Sequence, residues 1–182
     1  MERLEILVKA GIKAVQIREK DLSAKDLLQL ANQIKSFSNK LFINERIDVA
    51  YATGANGLHL PEHGLPVHEA RKIIGNKIIG KSTHSIESAL RAESEGADFI
   101  TFGPIYDTPS KRQYGAPLGI SKLQEAAKKI SIPVFAIGGI NPERAKECIA
   151  AGAYGVSVIS DLLVSENPKS QVKKYLDALG SL

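Results

Sequence analysis

Residues 137–160, "IGGINPERAKECIAAGAYGVSVIS", contain two apolar runs of the same kind. The first run ends in Gly138-Gly139 and the second in Ile159-Ser160, with one helix-length stretch between them. Apolar runs without polar alternation are typical of strands that are buried on both faces, as in a parallel sheet. The segment therefore predicts a unit of strand, helix and strand in which small residues lie at the strand ends.

The same unit recurs along the chain about every 20 to 25 residues. Seven strand-like runs are "AVQIRE", "LFIN", "GLHL", "IIGKST", "FITFGPI", "PVFAIGG" and "GVSVIS". Helix-like segments cover residues 2–9, 23–38, 67–74, 86–95, 120–130, 142–151 and 168–179. This alternation predicts one (β/α)₈ TIM-barrel domain over residues 1–182, and an open doubly wound sheet is the alternative.

The strand count is one short of a closed barrel, because the chain opens on a helix and a closed barrel needs an eighth strand. Three explanations stay open. The first strand is missing from this chain, or an unrecognised segment or a neighbouring subunit of a homodimer fills the gap, or the barrel stays open.

Composition narrows the class of protein. The chain has 182 residues and a net charge of +4, with the charges scattered rather than massed in a run. This favours small anionic ligands over nucleic acid. The single Cys148 excludes an internal disulfide and a cysteine-based zinc cluster, which suits the reducing cytoplasm. No run reaches the roughly 18 apolar residues of a membrane helix. We expect a cytoplasmic protein that binds small anionic ligands and neither nucleic acid nor membrane.

The last two strand ends predict a phosphate site. In TIM barrels the active face lies at the C-terminal strand ends, and the final two commonly hold a phosphate. Glycine lets backbone N–H groups approach an anion closely, and a following helix N-terminus adds partial positive charge. Gly139, Ile159 and Ser160 are therefore the candidates. The alternative is that the glycines merely turn strand into helix.

Polar and cationic residues end the first strand-like run. Gln16, Arg18 and Lys20 alternate along "VQIREKD", which puts all three on one side of an extended segment. Charges on the inner side of a barrel strand are costly unless an anion meets them. A guanidinium and an ammonium both suit a pyrophosphate. The alternative is local pairing with Glu19 or Asp21.

A carboxylate follows the second strand-like run and predicts a metal ligand. Asn44 and Glu45 stand there, and Mg²⁺ prefers a few protein oxygens together with substrate oxygens. Equally, Glu45 and Arg46 could begin a helix. His59 and His63 have no third ligand in a recognisable pattern, so we expect structural or solvent-facing histidines.

Hydroxyl groups and one further cation come from two later strand ends. "IIGKSTHS" offers Ser82. The longest loop between a strand and a helix, "GPIYDTPSKRQYGAPLG", supplies Thr108, Ser110 and Lys111. Loops of this length on the active face tend to be functional lids.

As an ordered set, these motifs closely resemble the thiamine phosphate synthase and TenI superfamily. The matching elements are "VQIREKD", "LFINERIDVA", "GANGLHLPEHGLP", "IIGKSTHS", "GADFITFGPIYDTPSK", "IPVFAIGGI" and "AGAYGVSVIS". The resemblance implies a (β/α)₈ barrel that joins hydroxymethylpyrimidine pyrophosphate to thiazole phosphate. Pyrophosphate is released, thiamine phosphate is formed, and Mg²⁺ is the expected cofactor.

The resemblance also implies roles for individual residues. It places a first set around the pyrimidine pyrophosphate: Gln16, Arg18, Lys20, Asn44, Ser82 and Lys111. It places a second set around the thiazole phosphate: Thr108, Ser110, Gly139, Ile159 and Ser160. In the family mechanism pyrophosphate departs, a pyrimidine carbocation forms and the thiazole nitrogen attacks. The catalytic set is Arg18, Lys20, Ser82 and Lys111, with the cations and Mg²⁺ stabilising the leaving group.

Two positions depart from the synthase pattern. Glu45, the expected metal ligand, replaces the usual aspartate, and Gly64 stands at the second metal carboxylate's position, leaving Glu62 or His63 as substitutes from that loop. "HLPEHGLP" looks more like the TenI branch, some of whose members are thiazole tautomerases, although Pro104 occupies the position of their catalytic histidine. The alternatives are therefore a tautomerase and a non-catalytic protein that binds thiazole phosphate.

Overall fold

The structure, a computed structural model, describes residues 1–108 and 116–180. Its seven strands form one parallel sheet in chain order. They are β1 Val15–Ile17, β2 Leu41–Asn44, β3 Gly57–Leu60, β4 Ile78–Thr83, β5 Phe99–Phe102, β6 Val134–Ile137 and β7 Gly155–Ser157. A doubly wound sheet would reverse its strand order at a switch point, so this order excludes that alternative. The predicted TIM-barrel architecture with seven strands is confirmed.

Helices alternate with the strands, as predicted. They are α1 Glu2–Lys9, α2 Ala24–Lys35, α3 Ile47–Ala52, α4 Val67–Ile74, α5 Ile86–Ser94, α6 Gly119–Lys129, α7 Pro142–Ala150, α8 Ser160–Leu163 and α9 Pro168–Leu179. The short helices α3 and α8 were not among the predicted segments. Within the described residues β1 and β7 each pair on one side only, so the sheet has two edges.

Side-chain caps fix where several helices begin. Asn141 Oδ1 accepts the Arg144 backbone N–H at 2.8 Å at the start of α7. Asn167 and Ser85 cap α9 and α5 in the same way. These caps orient each helix against the strand before it.

The inner face of the sheet is filled by aromatic rings that pack over glycines on neighbouring strands. A Cβ added at Gly80 would lie 2.2 Å from Cζ of Phe99. The register pairs are Phe42 with Gly57, Phe99 with Gly80, and Phe135 with Gly155. The opposite face packs on the helices through buried aliphatic side chains, and Cys148 is fully buried in that layer. In the described part of the chain, no helix is long and apolar enough to cross a membrane.

The last strand is shorter than predicted, and its end needs a correction. β7 ends at Ser157, which pairs with Ile137, the last residue of β6. Beyond Ile137 the chain turns through Gly138 and Gly139 with positive φ, so β7 has no partner there. Ile159 and Ser160 therefore lie at the start of α8 and are not the end of a strand.

Candidate active site

Neutral polar side chains line the inner face of the sheet near the C-terminal ends of five adjacent strands. The register places Gln16, Asn44, His59, Ser82 and Thr101 on this face. Gln16 Nε2 donates to Asn44 Oδ1 at 3.3 Å, which ties the ends of β1 and β2 together. The strands thus present hydrogen-bonding groups toward the active face of the fold.

A cavity of about 250 Å³ opens beside these groups. Its lining consists of Glu19, Lys20, Asn44, Glu45 and Arg46. Of these, Lys20, Asn44 and Glu45 were predicted site residues. From the sequence, Glu19 was considered only as an ion-pair partner for the cations after β1. Arg46 was considered only as the possible start of a helix. Their presence brings a second carboxylate into the cavity.

Arg18 and Lys20 follow β1 and are both exposed. Only Gln16 of the three alternating residues lies within the strand, because β1 ends at Ile17. In the regions that the structure describes, neither cation lies within ion-pairing distance of an acidic group. The alternative of local pairing with Glu19 or Asp21 is therefore wrong in this conformation, and both charges stay available for an anionic ligand.

Glu45 has a strained backbone, with φ at +62°. Its backbone N–H donates to His59 O at 2.9 Å, and the next N–H, of Arg46, donates to Asn44 O at 2.6 Å. A non-glycine residue with positive φ destabilises the folded state by about 1–3 kcal/mol, and such residues are concentrated at functional sites. The strain turns the chain sharply at the end of β2 and leaves the Glu45 carboxylate exposed in the cavity.

Arg46 differs from the other cations near the cavity because its charge is already paired. Its guanidinium donates to both carboxylate oxygens of Asp48, with Nε and Oδ1 2.9 Å apart. This fork raises the pKa of Arg46 and lowers the pKa of Asp48. Arg46 therefore braces the start of α3, and its charge is less available to a ligand than the unpaired charge of Lys20.

Gly138 and Gly139 pack tightly against the chain that follows β5. Tyr106 N–H donates to Gly138 O at 3.1 Å, and Ile105 N–H donates to Ile137 O at 2.9 Å. A Cβ at Gly139 would lie 2.6 Å from Asp107 O. A side chain at either glycine would clash with the chain after β5, so the glycines allow the end of β6 to lie beside Tyr106 and Asp107.

Two side chains on α7 brace this contact. Arg144 Nη1 donates to Gly139 O at 2.6 Å, and the guanidinium lies 4.5 Å from the centre of the Tyr106 ring. Tyr106 Oη donates to Glu147 Oε2 at 2.6 Å, and burial with this bond raises the pKa of the phenol. The end of β6 and the chain after β5 are therefore held as one unit.

The family assignment comes from similarity to known proteins. The family model for thiamine monophosphate synthase matches residues 1–162. The chain belongs to the thiamine monophosphate synthase family. It is 46% identical over 174 residues to a putative thiamine-phosphate synthase of Geobacter sulfurreducens, covering 93% of this chain and 82% of that protein.

Further relatives agree with this assignment. The thiamine-phosphate synthase of Clostridium novyi is 40% identical over 171 residues, covering 91% of this chain and 84% of its own length. The solved thiamine phosphate pyrophosphorylase of Pyrococcus furiosus superposes with a TM-score of 0.90 at 29% identity, covering 98% of this chain and 88% of that chain.

The structure brings only part of the predicted site of this family member into one cavity. Lys20, Asn44 and Glu45 share the 250 Å³ cavity, whose lining does not include Gly139 or Ser82. Ser82 lines a second cavity instead. Exposed Ile159 and Ser160 begin α8, and Ser110 and Lys111 lie outside the described residues.

The oxygen donors beside β2 suit the metal expected for this family. Mg²⁺ needs one or two carboxylates when substrate phosphates and water supply its other ligands. Glu45 and Glu19 line the same cavity with Asn44, and no group of three metal-ligating side chains occurs in the part of the chain the structure describes. Magnesium held mainly by substrate oxygens fits this donor set.

The substitutes predicted for the carboxylate at Gly64 are placed elsewhere. Glu62 Oε1 accepts the His84 backbone N–H at 3.2 Å, and the side chain of His63 is 93% exposed. His59 is 3% exposed inside the barrel. The burial of His59 and the exposure of His63 match the structural and solvent-facing placements expected for them.

Proposed function

We propose that the chain joins hydroxymethylpyrimidine pyrophosphate to thiazole phosphate, forming thiamine phosphate and releasing pyrophosphate. The family match over residues 1–162 carries the proposal, and it makes the chain a transferase enzyme of thiamine biosynthesis. The unpaired cations beside an oxygen-lined cavity support the same chemistry, because a pyrophosphate leaving group needs positive charge where its negative charge develops.

At the pyrimidine end, Arg18 and Lys20 stabilise charge on the departing pyrophosphate, together with Lys111 from outside the described residues. Gln16 and Asn44, joined by their hydrogen bond, orient the pyrimidine ring through amide donors and acceptors. Ser82 adds a hydroxyl from β4. Glu45 would hold Mg²⁺, and the ion would supply positive charge to the phosphate oxygens.

At the thiazole end, the phosphate binds between the end of β6 and the start of α8. Gly139 offers an N–H without a side chain in the way, and Ser160 offers a hydroxyl. Thr108 comes from the chain after β5, and Ser110 is a further predicted ligand outside the described residues. Because Arg144 and Tyr106 fix this region, the thiazole is held while its ring nitrogen attacks the pyrimidine carbocation.

A coupling assay tests this function. Purified chain with both substrates and Mg²⁺ is expected to form thiamine phosphate, and Arg18→Gln lowers kcat/KM at least about tenfold by removing a charge that stabilises the leaving group. Lys13→Gln is the charge-matched control, since Lys13 is exposed at the opposite end of β1. It should match the wild type.

The alternatives give different results in the same assay. Thiazole tautomerisation that persists with chelator and without the pyrimidine, with no thiamine phosphate at high enzyme concentration, would assign the tautomerase. Stabilisation against heat by thiazole phosphate, with no conversion of either kind, would assign a non-catalytic binding protein.

The metal site is tested by two substitutions of Glu45. Glu45→Gly should weaken Mg²⁺ binding in the presence of pyrophosphate and raise the free energy of unfolding by about 1 kcal/mol, because glycine accepts positive φ. Glu45→Gln should weaken Mg²⁺ binding without that gain. Titration calorimetry and urea unfolding measure both quantities, and unchanged Mg²⁺ affinity in both variants would remove Glu45 as a ligand.

Location in the cytoplasm and assembly as a homodimer stay predictions. The single buried Cys148 supports a reducing compartment. The two sheet edges at β1 and β7 leave room for a strand from elsewhere, including a second subunit.

A further inference from the structure

A second cavity, of about 170 Å³, lies on the helix side of β4. It is bounded by the loop at residues 61–66, by β4 and by one face of α5. Lys81 reaches it from the face of the sheet that packs on helices, because its register partners Leu60 and Ile100 are both buried in that layer. The cavity is therefore distinct from the one beside Asn44.

Lys81 is a buried cation without an ionic partner. The residue is only 6% exposed. Its Nζ donates to Leu65 O at 3.0 Å and, at the limit of hydrogen bonding, to Gly64 O at 3.5 Å. In the described ranges no carboxylate lies within ion-pairing distance of this ammonium. Burial, the largest effect, lowers the pKa of Lys81.

A second cation faces the same cavity. Arg91 is exposed on α5, and its guanidinium makes no hydrogen bond or ion pair with any described residue. Its charge contributes to lowering the pKa of Lys81, so the two cations act on each other. The two like charges repel each other, and an anion bound between them would reduce that repulsion.

The two carboxylates at this cavity are occupied by backbone groups. Glu95 Oε2 accepts Val67 N–H at 3.0 Å at the start of α4. Glu62 Oε1 accepts His84 N–H just before α5. Both raise the pKa of Lys81, so their charges are felt there. Each carboxylate thus accepts a backbone N–H at or just before the start of a helix. Neither carboxylate forms an ion pair with Lys81 or Arg91.

We propose that this cavity binds a phosphate-class anion between Lys81 and Arg91. The planar guanidinium of Arg91 can donate two parallel hydrogen bonds to phosphate oxygens, and the ammonium of Lys81 adds a compact positive charge. Free inorganic phosphate and pyrophosphate share this chemistry. The site does not depend on the proposed synthase reaction, because its residues lie on the helix side of β4.

Titration calorimetry with inorganic phosphate on the metal-free full chain tests the proposal. Arg18→Gln is used as the background, because it weakens binding at the active face. Phosphate should still bind this protein, and adding Arg91→Gln should weaken that binding at least about tenfold. Lys128→Gln, an equal charge change on α6, is the control and should leave the affinity unchanged.

Lys81→Met provides an independent variant and should also weaken phosphate binding. If it does not fold, Arg91→Gln still decides the question, since Arg91 is exposed. Repeating the titration with pyrophosphate identifies which anion the cavity takes. If pyrophosphate binds more tightly than phosphate, the ligand is the reaction product; if it binds equally or more weakly, the ligand is free phosphate. Loss of phosphate binding with Arg18→Gln alone, or equal affinity with and without Arg91→Gln, would overturn the proposal.

Discussion

Replacing Gly139 with alanine is expected to lower the free energy of unfolding by roughly 3 kcal/mol and to abolish thiazole phosphate binding. The residue has φ at +65°, which disfavours any side chain. The new Cβ would also lie 2.6 Å from Asp107 O and 2.9 Å from Tyr106 Cβ. Because Arg144 and Tyr106 brace this region, the backbone has little room to relax.

Gly75→Ala separates the clash from the backbone strain. Gly75 has φ at +64°, almost the same as Gly139, but a Cβ there would meet nothing within 4 Å. The free energy of unfolding of this variant should fall by about 1 kcal/mol, and its binding of thiazole phosphate should be unchanged. Urea unfolding and calorimetry with thiazole phosphate compare the two proteins. Equal losses of stability with intact binding in both would show that Gly139 has no special role at the phosphate site.

The sequence predicted the strands well because buried parallel strands have a strong local signature. "LFIN" and "GLHL" are mostly apolar, each with one polar residue, and correspond to β2 and β3 over their whole lengths. Helix starts were equally visible, since Asn141 with the following Pro142 is a local capping signal. These features depend on near neighbours in the chain, so the sequence alone carries them.

Features that depend on distant contacts were not predictable in this way. β7 stops at Ser157 because β6 turns away after Ile137, a limit set by a partner strand. The positive φ at position 45 was not predictable, because the residue there is a glutamate and not a glycine or asparagine, the types that commonly adopt positive φ. The burial of Lys81 arises from helices packed over β4, whereas the short sequence around it reads as an ordinary strand end.

His59 should make the stability of the protein depend on pH between about 6.5 and 4. It is 3% exposed, its Nδ1 has no hydrogen-bond partner, and its Nε2 lies 3.5 Å from Thr101 Oγ1. Burial, followed by the positive charges of Arg18 and Lys81, lowers its pKa from 6.5 to about 4. The folded protein therefore holds this imidazole neutral at pH 7.

The sign follows from proton binding in the two states. Between pH 6.5 and 4 the unfolded chain binds a proton at this histidine and the folded protein does not. Lowering the pH therefore favours unfolding. The shift predicts a loss of about 3 kcal/mol as the pH falls from 7 to 4. His59→Leu removes the titrating group, and the variant should lose correspondingly less stability over this range.

His63→Gln is the matched control, because its side chain is 93% exposed. Urea unfolding of the three proteins at pH 7, 6, 5 and 4 measures the slopes, and other acidic groups cancel in the comparison. The His63 variant should follow the wild type. If His59→Leu also follows the wild type, the imidazole takes up its proton in the folded barrel, and the cations around β1 and β4 do not keep it neutral.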